Sequence, residues 1–236
     1  MYRRPFYGYR RTGSVPSRYR GRFRRSGYYG RYTRGAQYSR VRRGLQIEKK
    51  FFDTSNTWLF DATTEVPATG QLNLIPQGVT ESTRVGRKCQ IKSIQVKGTA
   101  TYIPGTDTIG SVNVWLYLIK DSQANGAAAA VTDVFTGTDS SRMMVNLANS
   151  ERFRIVRKWM FKLQAGAGVA GAFGRDEISI DEYIKLNMPV EFSSTTGAIT
   201  EIKSNNLFFI AGSDATGATD DEVAWAGTTR VRFTDI

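Results

Sequence analysis

The feature that most limits what this chain can fold into is the segregation of its charge. Residues 1–43 contain 14 Arg but neither Lys nor an acidic residue. Subtracting them from the 33 basic residues of the chain leaves 19 basic against 21 acidic residues, so residues 44–236 carry −2 although the whole chain carries +12. This division predicts one folded domain, residues 44–236, with a basic arm, residues 1–43, that binds a polyanion.

The arm lacks the residues from which a hydrophobic core is made. It has almost no aliphatic residue apart from Val15 and Val41, whereas it holds eight of the eleven Tyr of the chain and six Gly. Its positive charges also repel one another. We therefore predict that the arm is disordered until a counter-charge is present.

Cationic and aromatic residues alternate in the arm, most clearly from Arg18 to Arg25. A guanidinium group can grip phosphate through two hydrogen bonds, and Tyr can stack on unpaired bases at roughly 1–3 kcal/mol per base. We predict that the arm binds single-stranded nucleic acid without reading sequence, and that the same charges serve in nuclear import. A nuclear-localisation signal alone and a phase-separating segment are the alternatives. The predicted nucleic-acid-binding residues are Arg3, Arg4, Arg10, Arg11, Arg18, Arg20, Arg22, Arg24, Arg25, Arg31, Arg34, Arg40, Arg42 and Arg43.

Beyond Gly44 the sequence is typical of an all-β protein. Residues 90–102 alternate between apolar and polar side chains, as in a half-buried strand, whereas residues 112–119 are apolar on both faces, as in a covered central strand. We predict a single eight-stranded jelly-roll β-sandwich, with a barrel as the alternative, and a short helix around residues 141–148. Further strands are predicted at residues 45–53, 70–75, 152–163, 178–192, 206–212 and 229–235.

Two groups of basic residues in the body are predicted to contact either nucleic acid or a neighbouring subunit. One group precedes and enters the strand at residue 90, with a merely solvated rim as the alternative. The other occupies one parity of residues 152–163, whose opposite parity is apolar. The residues are Arg84, Arg87, Lys88 and Lys92, and Arg152, Arg154, Lys158 and Lys162.

The residues needed for most enzyme chemistry are missing. The chain has no His, and its single Cys89 is expected to be a small buried hydrophobe. No phosphate-binding glycine motif occurs, so we predict no catalytic residue, no cofactor, no metal site and no enzymatic activity. The acidic clusters at residues 176–182 and 220–222 are interpreted as solvated loop charge, with calcium binding as the alternative. We expect no membrane segment or signal peptide, and a soluble chain in the cytosol or nucleus.

A series of short motifs in the body resembles a known family. Ile75-Pro76-Gln77-Gly78 is followed by Arg84-Val85-Gly86-Arg87-Lys88 and by a strand at Ile91–Val96. This order resembles the coat proteins of circular, Rep-encoding single-stranded DNA viruses (CRESS-DNA viruses). At Ile155–Lys158 the chain departs from circovirus coat proteins, which often read Tyr-Asp-Arg there, so the genus stays open.

The resemblance implies a capsid protein with a jelly-roll body. Such a protein self-assembles into a small icosahedral virion and packages circular single-stranded DNA. The resemblance also implies the host nucleus as the site of assembly and an import receptor as a partner. The smallest such shell has about 60 copies, whose arms supply about 840 positive charges. A cellular single-strand-binding protein with an Arg-Gly-Tyr tail on a β-barrel is the alternative. A carbohydrate-binding sandwich would explain the body but not the arm.

Overall fold

The computed structural model describes residues 49–60, 64–103, 111–139, 141–164, 176–214 and 222–236. All of them belong to the second of the two units into which the chain divides, Leu45–Ile236. The arm and its 14 predicted nucleic-acid-binding arginines lie outside the described residues and stay a prediction. No helix within the described ranges is both long and apolar enough to cross a membrane.

Ten strands occur in the described ranges, rather than the eight that were predicted. The strands are β1 (Lys50–Phe60), β2 (Lys88–Ile103), β3 (Ser111–Asp121), β4 (Phe135–Thr136), β5 (Met144–Val145), β6 (Phe153–Gln164), β7 (Glu177–Phe192), β8 (Ile202–Ser204), β9 (Asn206–Ser213) and β10 (Glu222–Asp235). One α-helical turn, α1 (Val131–Val134), and two 3₁₀ turns, Leu147–Asn149 and Ile199–Glu201, complete the elements. The seven long strands overlap predicted runs, whereas β4, β5 and β8 are short additions.

The strands form two main sheets that pack face to face. One sheet has the order β1-β10-β2-β7-β8 and the other the order β6-β3-β9. The predicted strand at residues 70–75 is absent, but isolated bridges from Glu65 to Ala211 and from Gln71 to Phe208 place this part of the chain antiparallel to β9. When residues 65–71 are counted as a fourth member of the second sheet, the strand order is that of a jelly roll. The all-β sandwich is therefore confirmed.

The second sheet is covered on both faces, as the sequence of residues 112–119 predicts. Leu116 and Leu118 of β3 belong to the core between the sheets, whereas Tyr117 belongs to a second cluster on the opposite face. Val131 and Val134 of α1 cover that cluster. The predicted helix at residues 141–148 is wrong, because this segment contains β5 and the start of a 3₁₀ turn instead.

Cys89 lies in the core between the sheets and is fully buried, as expected. Burial raises the pKa of its thiol to about 12, so the thiol stays protonated at neutral pH.

The acidic cluster that contains Asp181 makes contacts within the sheet surface. Asp181 accepts a hydrogen bond from Gln95 at 3.0 Å and pairs with Lys97 at 3.6 Å. The described residues contain no group of three or more side chains that could hold a metal ion, and Asp220 lies outside them.

The basic face predicted for residues 152–163 is wrong, because the strand changes parity. The register between β6 and β3 skips Val156, which forms a β-bulge. Phe153 therefore packs in the outer cluster, whereas Leu163 packs in the core between the sheets. Arg154 and Lys158 consequently lie on opposite faces of β6.

Candidate nucleic-acid interface

A groove of about 560 Å³ lies on the face of the five-stranded sheet that is turned away from the core. In β10, Val231 and Phe233 point into the core, so that Arg230 and Arg232 between them point outward. The cross-strand register then places Arg232 beside Phe51 of β1 and Ser93 of β2. We call this site the basic groove. It is lined by Lys49, Lys50, Phe51, Lys92, Ser93, Tyr183, Arg230, Arg232, Phe233 and Thr234.

Some of the cations in the basic groove are neutralised and others are not. Arg230 donates two hydrogen bonds of 2.7 and 2.6 Å to the carboxylate of Asp53, and these bonds raise the pKa of the Arg230 guanidinium group. Lys49, Lys92 and Arg232 have no acidic partner among the described residues. Because no acidic residue lines the basic groove, the groove has an excess of positive charge.

Two aromatic rings hold the arginines of the basic groove in place. The guanidinium carbon of Arg230 lies 4.8 Å from the ring centroid of Phe51, and that of Arg232 lies 5.4 Å from the ring centroid of Tyr183. Tyr183 is 53% exposed, so part of its ring is accessible from solvent. The groove thus combines oriented cations with aromatic surface, which is the combination that single-stranded nucleic acid requires.

Two buried polar atoms in the basic groove lack a partner in the described part of the chain. These are Oγ of Ser93, a residue with only 1% exposure, and one terminal nitrogen of Arg232, Nη1. The other terminal nitrogen of Arg232 donates to Gln95 at 3.0 Å. An unpaired buried polar group costs about 1–3 kcal/mol, and both atoms are enclosed by the protein.

The comparison with protein families decides what kind of protein carries this groove. The sequence model of the "Geminivirus coat protein/nuclear export factor BR1 family" matches residues 3–236. The chain belongs to this family. The resemblance to coat proteins of circular single-stranded DNA viruses is thereby confirmed, with the geminivirus rather than the circovirus proteins as the family matched. Membership in a coat-protein family supports a structural capsid role and a virion location.

Comparisons with individual proteins add little to the family assignment. The "Structure of infectious bursal disease virus Gx strain" is 13% identical over 79% of this chain and 33% of that chain, with a TM-score of 0.24. The "Crystal structure of infectious bursal disease virus VP2 subviral particle" is 10% identical over 81% of this chain and 38% of that chain, with a TM-score of 0.18. The chain thus spans little more than a third of the length of these structures, and at such TM-scores the similarity supports no conclusion. No curated protein matches the chain significantly.

Of the basic residues predicted in the body of this coat-family protein, only Lys92 lies in the basic groove. Arg87, Arg154 and Lys162 are exposed elsewhere. Lys88 pairs with Glu191 at 3.3 Å. Lys158 lies over the ring of Tyr117 on the outer cluster of the other sheet, with its Nζ 5.2 Å from the ring centroid.

Arg152 has a structural position rather than a free surface position. Its guanidinium group donates two hydrogen bonds of 2.9 Å to the buried carboxylate of Asp121. These bonds raise the pKa of Arg152. The ion pair joins the two ends of the long connection between β3 and β6, since Asp121 is the last residue of β3 and Arg152 directly precedes β6.

The prediction that Arg84 contacts nucleic acid or a neighbouring subunit is wrong, since Arg84 is fully buried. Its Nε donates to the carbonyl oxygen of Ile75 at 2.9 Å, and its two terminal nitrogens donate to the carbonyl oxygens of Gly86, at 2.6 Å, and Ser194. Its guanidinium carbon also lies 4.1 Å from the ring centroid of Phe192. Arg84 thus holds together the Ile75–Gly78 and Arg84–Lys88 motifs by which the family resemblance was recognised.

The sequence analysis missed Phe51, Tyr183, Arg230 and Arg232. A signal for the arginines was present, because Arg230-Val231-Arg232-Phe233 alternates between cationic and apolar residues as a half-buried strand does. Phe51 and Tyr183 were harder to find. Each is an aromatic residue on the polar parity of its strand, and only the pairing of four strands brings them together.

Proposed function

We propose that the chain is a capsid protein that self-assembles into a small icosahedral shell and packages circular single-stranded DNA through its arm and the basic groove. The observation that carries the DNA-binding part is the basic groove, where Lys92 and Arg232, which have no acidic partner among the described residues, lie beside exposed Tyr183. Family membership supports the capsid part. The arm charges also serve in nuclear import, and assembly takes place in the host nucleus.

The arm and the basic groove are joined covalently, which supports their acting on one nucleic-acid strand. The second unit begins at Leu45, and Lys49, Lys50 and Phe51, which follow shortly after it in the sequence, line the groove. A nucleic-acid strand held by the arginines of residues 1–43 therefore has a second binding site in residues that follow the arm closely in the sequence. Phosphates neutralised at both sites release their counterions, so binding weakens with salt.

A cellular single-strand-binding protein stays the second candidate, and the basic groove is the observation in its favour. Exposed aromatic residues in a basic groove are what such a protein requires, and exposed Tyr183 with half-buried Phe51 supplies aromatic surface there. The two candidates differ in assembly. A binding protein of that kind acts as a monomer or small oligomer, whereas a capsid protein forms a closed shell.

We expect Tyr183→Ala to weaken binding of a short oligothymidylate to the full chain by about 5- to 150-fold at raised salt, where the contribution of the arm is reduced. The reason is the loss of a stacking surface worth roughly 1–3 kcal/mol. Fluorescence anisotropy of a labelled oligonucleotide measures the effect.

Tyr183→Phe is the matched variant, because it keeps the ring and should bind nearly as the unmodified chain does. Lys97→Gln removes an exposed charge from the same sheet face outside the basic groove and should change binding little. If Tyr183→Ala and Arg232→Gln both bind like the Lys97 variant, the basic groove takes no part in DNA binding.

A further inference from the structure

A second cationic cavity, which we call the edge cleft, lies where β6 and β7 face each other. It has a volume of about 340 Å³. Its polar side chains are Lys120, Arg154, Lys185 and Asn187, and no acidic residue lines it. In a body with a net charge of −2, a cavity lined by three cations and no acid indicates a site for an anion.

Two of these cations stand directly opposite each other. Lys120 of β3 and Arg154 of β6 are cross-strand partners in the antiparallel pair. Like charges in such positions, with Cβ atoms about 5 Å apart, destabilise a sheet unless a counter-charge lies between them. Lys120 is half-buried, so solvent screens it only in part. Among the described residues, Lys120, Arg154 and Lys185 form no ion pair.

Asn187 adds further donors to the edge cleft. It adopts a left-handed backbone conformation with φ of 52°, at the point where the register between β2 and β7 shifts. Its side-chain oxygen accepts a hydrogen bond from Gln90 at 3.1 Å. The N–H groups of the Asn187 amide are therefore left to donate to a ligand. Three cations and an amide form a set of donors without an acceptor, which favours an oxyanion.

The edge cleft adjoins the basic groove. Lys185 lines the cleft, and its cross-strand partner Ser93 lines the groove. Neighbouring strands are about 4.8 Å apart, so one strand spacing separates Lys185 from Ser93 of the groove. The rest of the cleft lies past Lys185, between β7 and the strands β3 and β6 of the other sheet. A nucleic-acid strand that leaves the groove over β2 therefore meets Lys185 on β7, from which the cleft continues between the two sheets.

We propose that the edge cleft binds a phosphodiester group of the same nucleic-acid strand that occupies the basic groove. This extends the bound track from β1 across the sheet to the edge of the sandwich, and it rests on the proposed DNA-binding function. Lys120 and Arg154 flank the phosphate, and Lys185 and Asn187 contact it from β7. The counter-charge for the Lys120–Arg154 pair then comes from the genome rather than from the protein.

Lysine acetylation followed by mass spectrometry tests this in the full chain. The reactivity of each lysine is compared with and without a long oligothymidylate, in the same state of assembly. We expect DNA to protect Lys120 and Lys185 along with Lys92 of the basic groove, but not Lys203, which is exposed and lines neither site. Protection of Lys92 without Lys120 and Lys185 overturns the edge cleft and leaves the basic groove intact.

Protection of Lys120 and Lys185 on self-association alone, with no further effect of DNA, assigns the cleft to a carboxylate of a neighbouring subunit and also overturns the proposal. If no lysine of either site responds to DNA, the proposed groove fails as well.

A binding assay complements the lysine-reactivity measurement. The combined variant Lys120→Gln, Arg154→Gln, Lys185→Gln should flatten the slope of log affinity against log salt by about 0.7 for each phosphate that it no longer binds, and Lys203→Gln should leave the slope unchanged.

Discussion

Deletion of residues 2–43 is expected to lower the affinity for single-stranded DNA on the order of a thousandfold or more at low salt, while the body stays folded. The deleted segment carries 14 of the 33 basic residues, whereas the described core between the sheets is built from the second unit, Leu45–Ile236. Each bound phosphate contributes about 0.7 to the slope of log affinity against log salt, so the slope should fall by up to about 10. Anisotropy titrations at several salt concentrations, with circular dichroism to check folding, measure both effects.

A chain whose first 43 residues are shuffled is the matched control. Its composition and charge are unchanged, so it should bind DNA as the unmodified chain does if the arm reads no sequence. The residual binding of the truncated chain should depend on Tyr183, since the basic groove remains. Undiminished binding by the truncated chain contradicts the assignment of the arm.

Substitution of the buried Arg84 by Met is expected to lower the free energy of unfolding by about 3–5 kcal/mol. The carbonyl oxygens of Ile75, Gly86 and Ser194 lose their donors, and that of Ile75 stays buried away from water. Against a typical total stability of about 5–15 kcal/mol, this loss is large. Urea denaturation followed by tryptophan fluorescence measures it, since the four Trp all lie in the described body.

Arg87→Met is the control for this substitution, because Arg87 is exposed and its replacement should change stability by no more than about 0.5 kcal/mol. Arg84→Lys should also destabilise the fold, since one ammonium group cannot reproduce the fork of the guanidinium group. An Arg84→Met variant that keeps full stability but loses DNA affinity would restore the sequence-based interpretation of Arg84 as a nucleic-acid-binding residue.

The periodicity of the sequence was sufficient to predict the long strands and the sandwich. Residues 90–102 and 112–119 lie within β2 and β3, and their alternating and continuous apolar patterns match the burial that the structure shows. The contacts of Glu182 explain why this acidic residue interrupts the series of apolar residues on one face of β7. It lies at the sheet edge, where it accepts a hydrogen bond from the indole of Trp159 at 2.7 Å and pairs with Arg157 at 2.7 Å.

The sequence could not predict features that depend on pairing between distant segments. The bulge at Val156 changes the parity of β6 by one residue and divides what looked like a single basic face. The burial of Arg84 depends on carbonyl oxygens up to 110 residues away. The basic groove draws its residues from β1, β2, β7 and β10, so its composition becomes visible only when these strands are paired.

Electron microscopy of the purified full chain with circular single-stranded DNA tests the central claim most directly. We predict closed particles of uniform size, with the DNA inside them protected from nuclease and arms and grooves facing it. A product that stays strictly monomeric across salt concentration and pH, with its DNA open to nuclease, would contradict a capsid function and favour a cellular single-strand-binding protein.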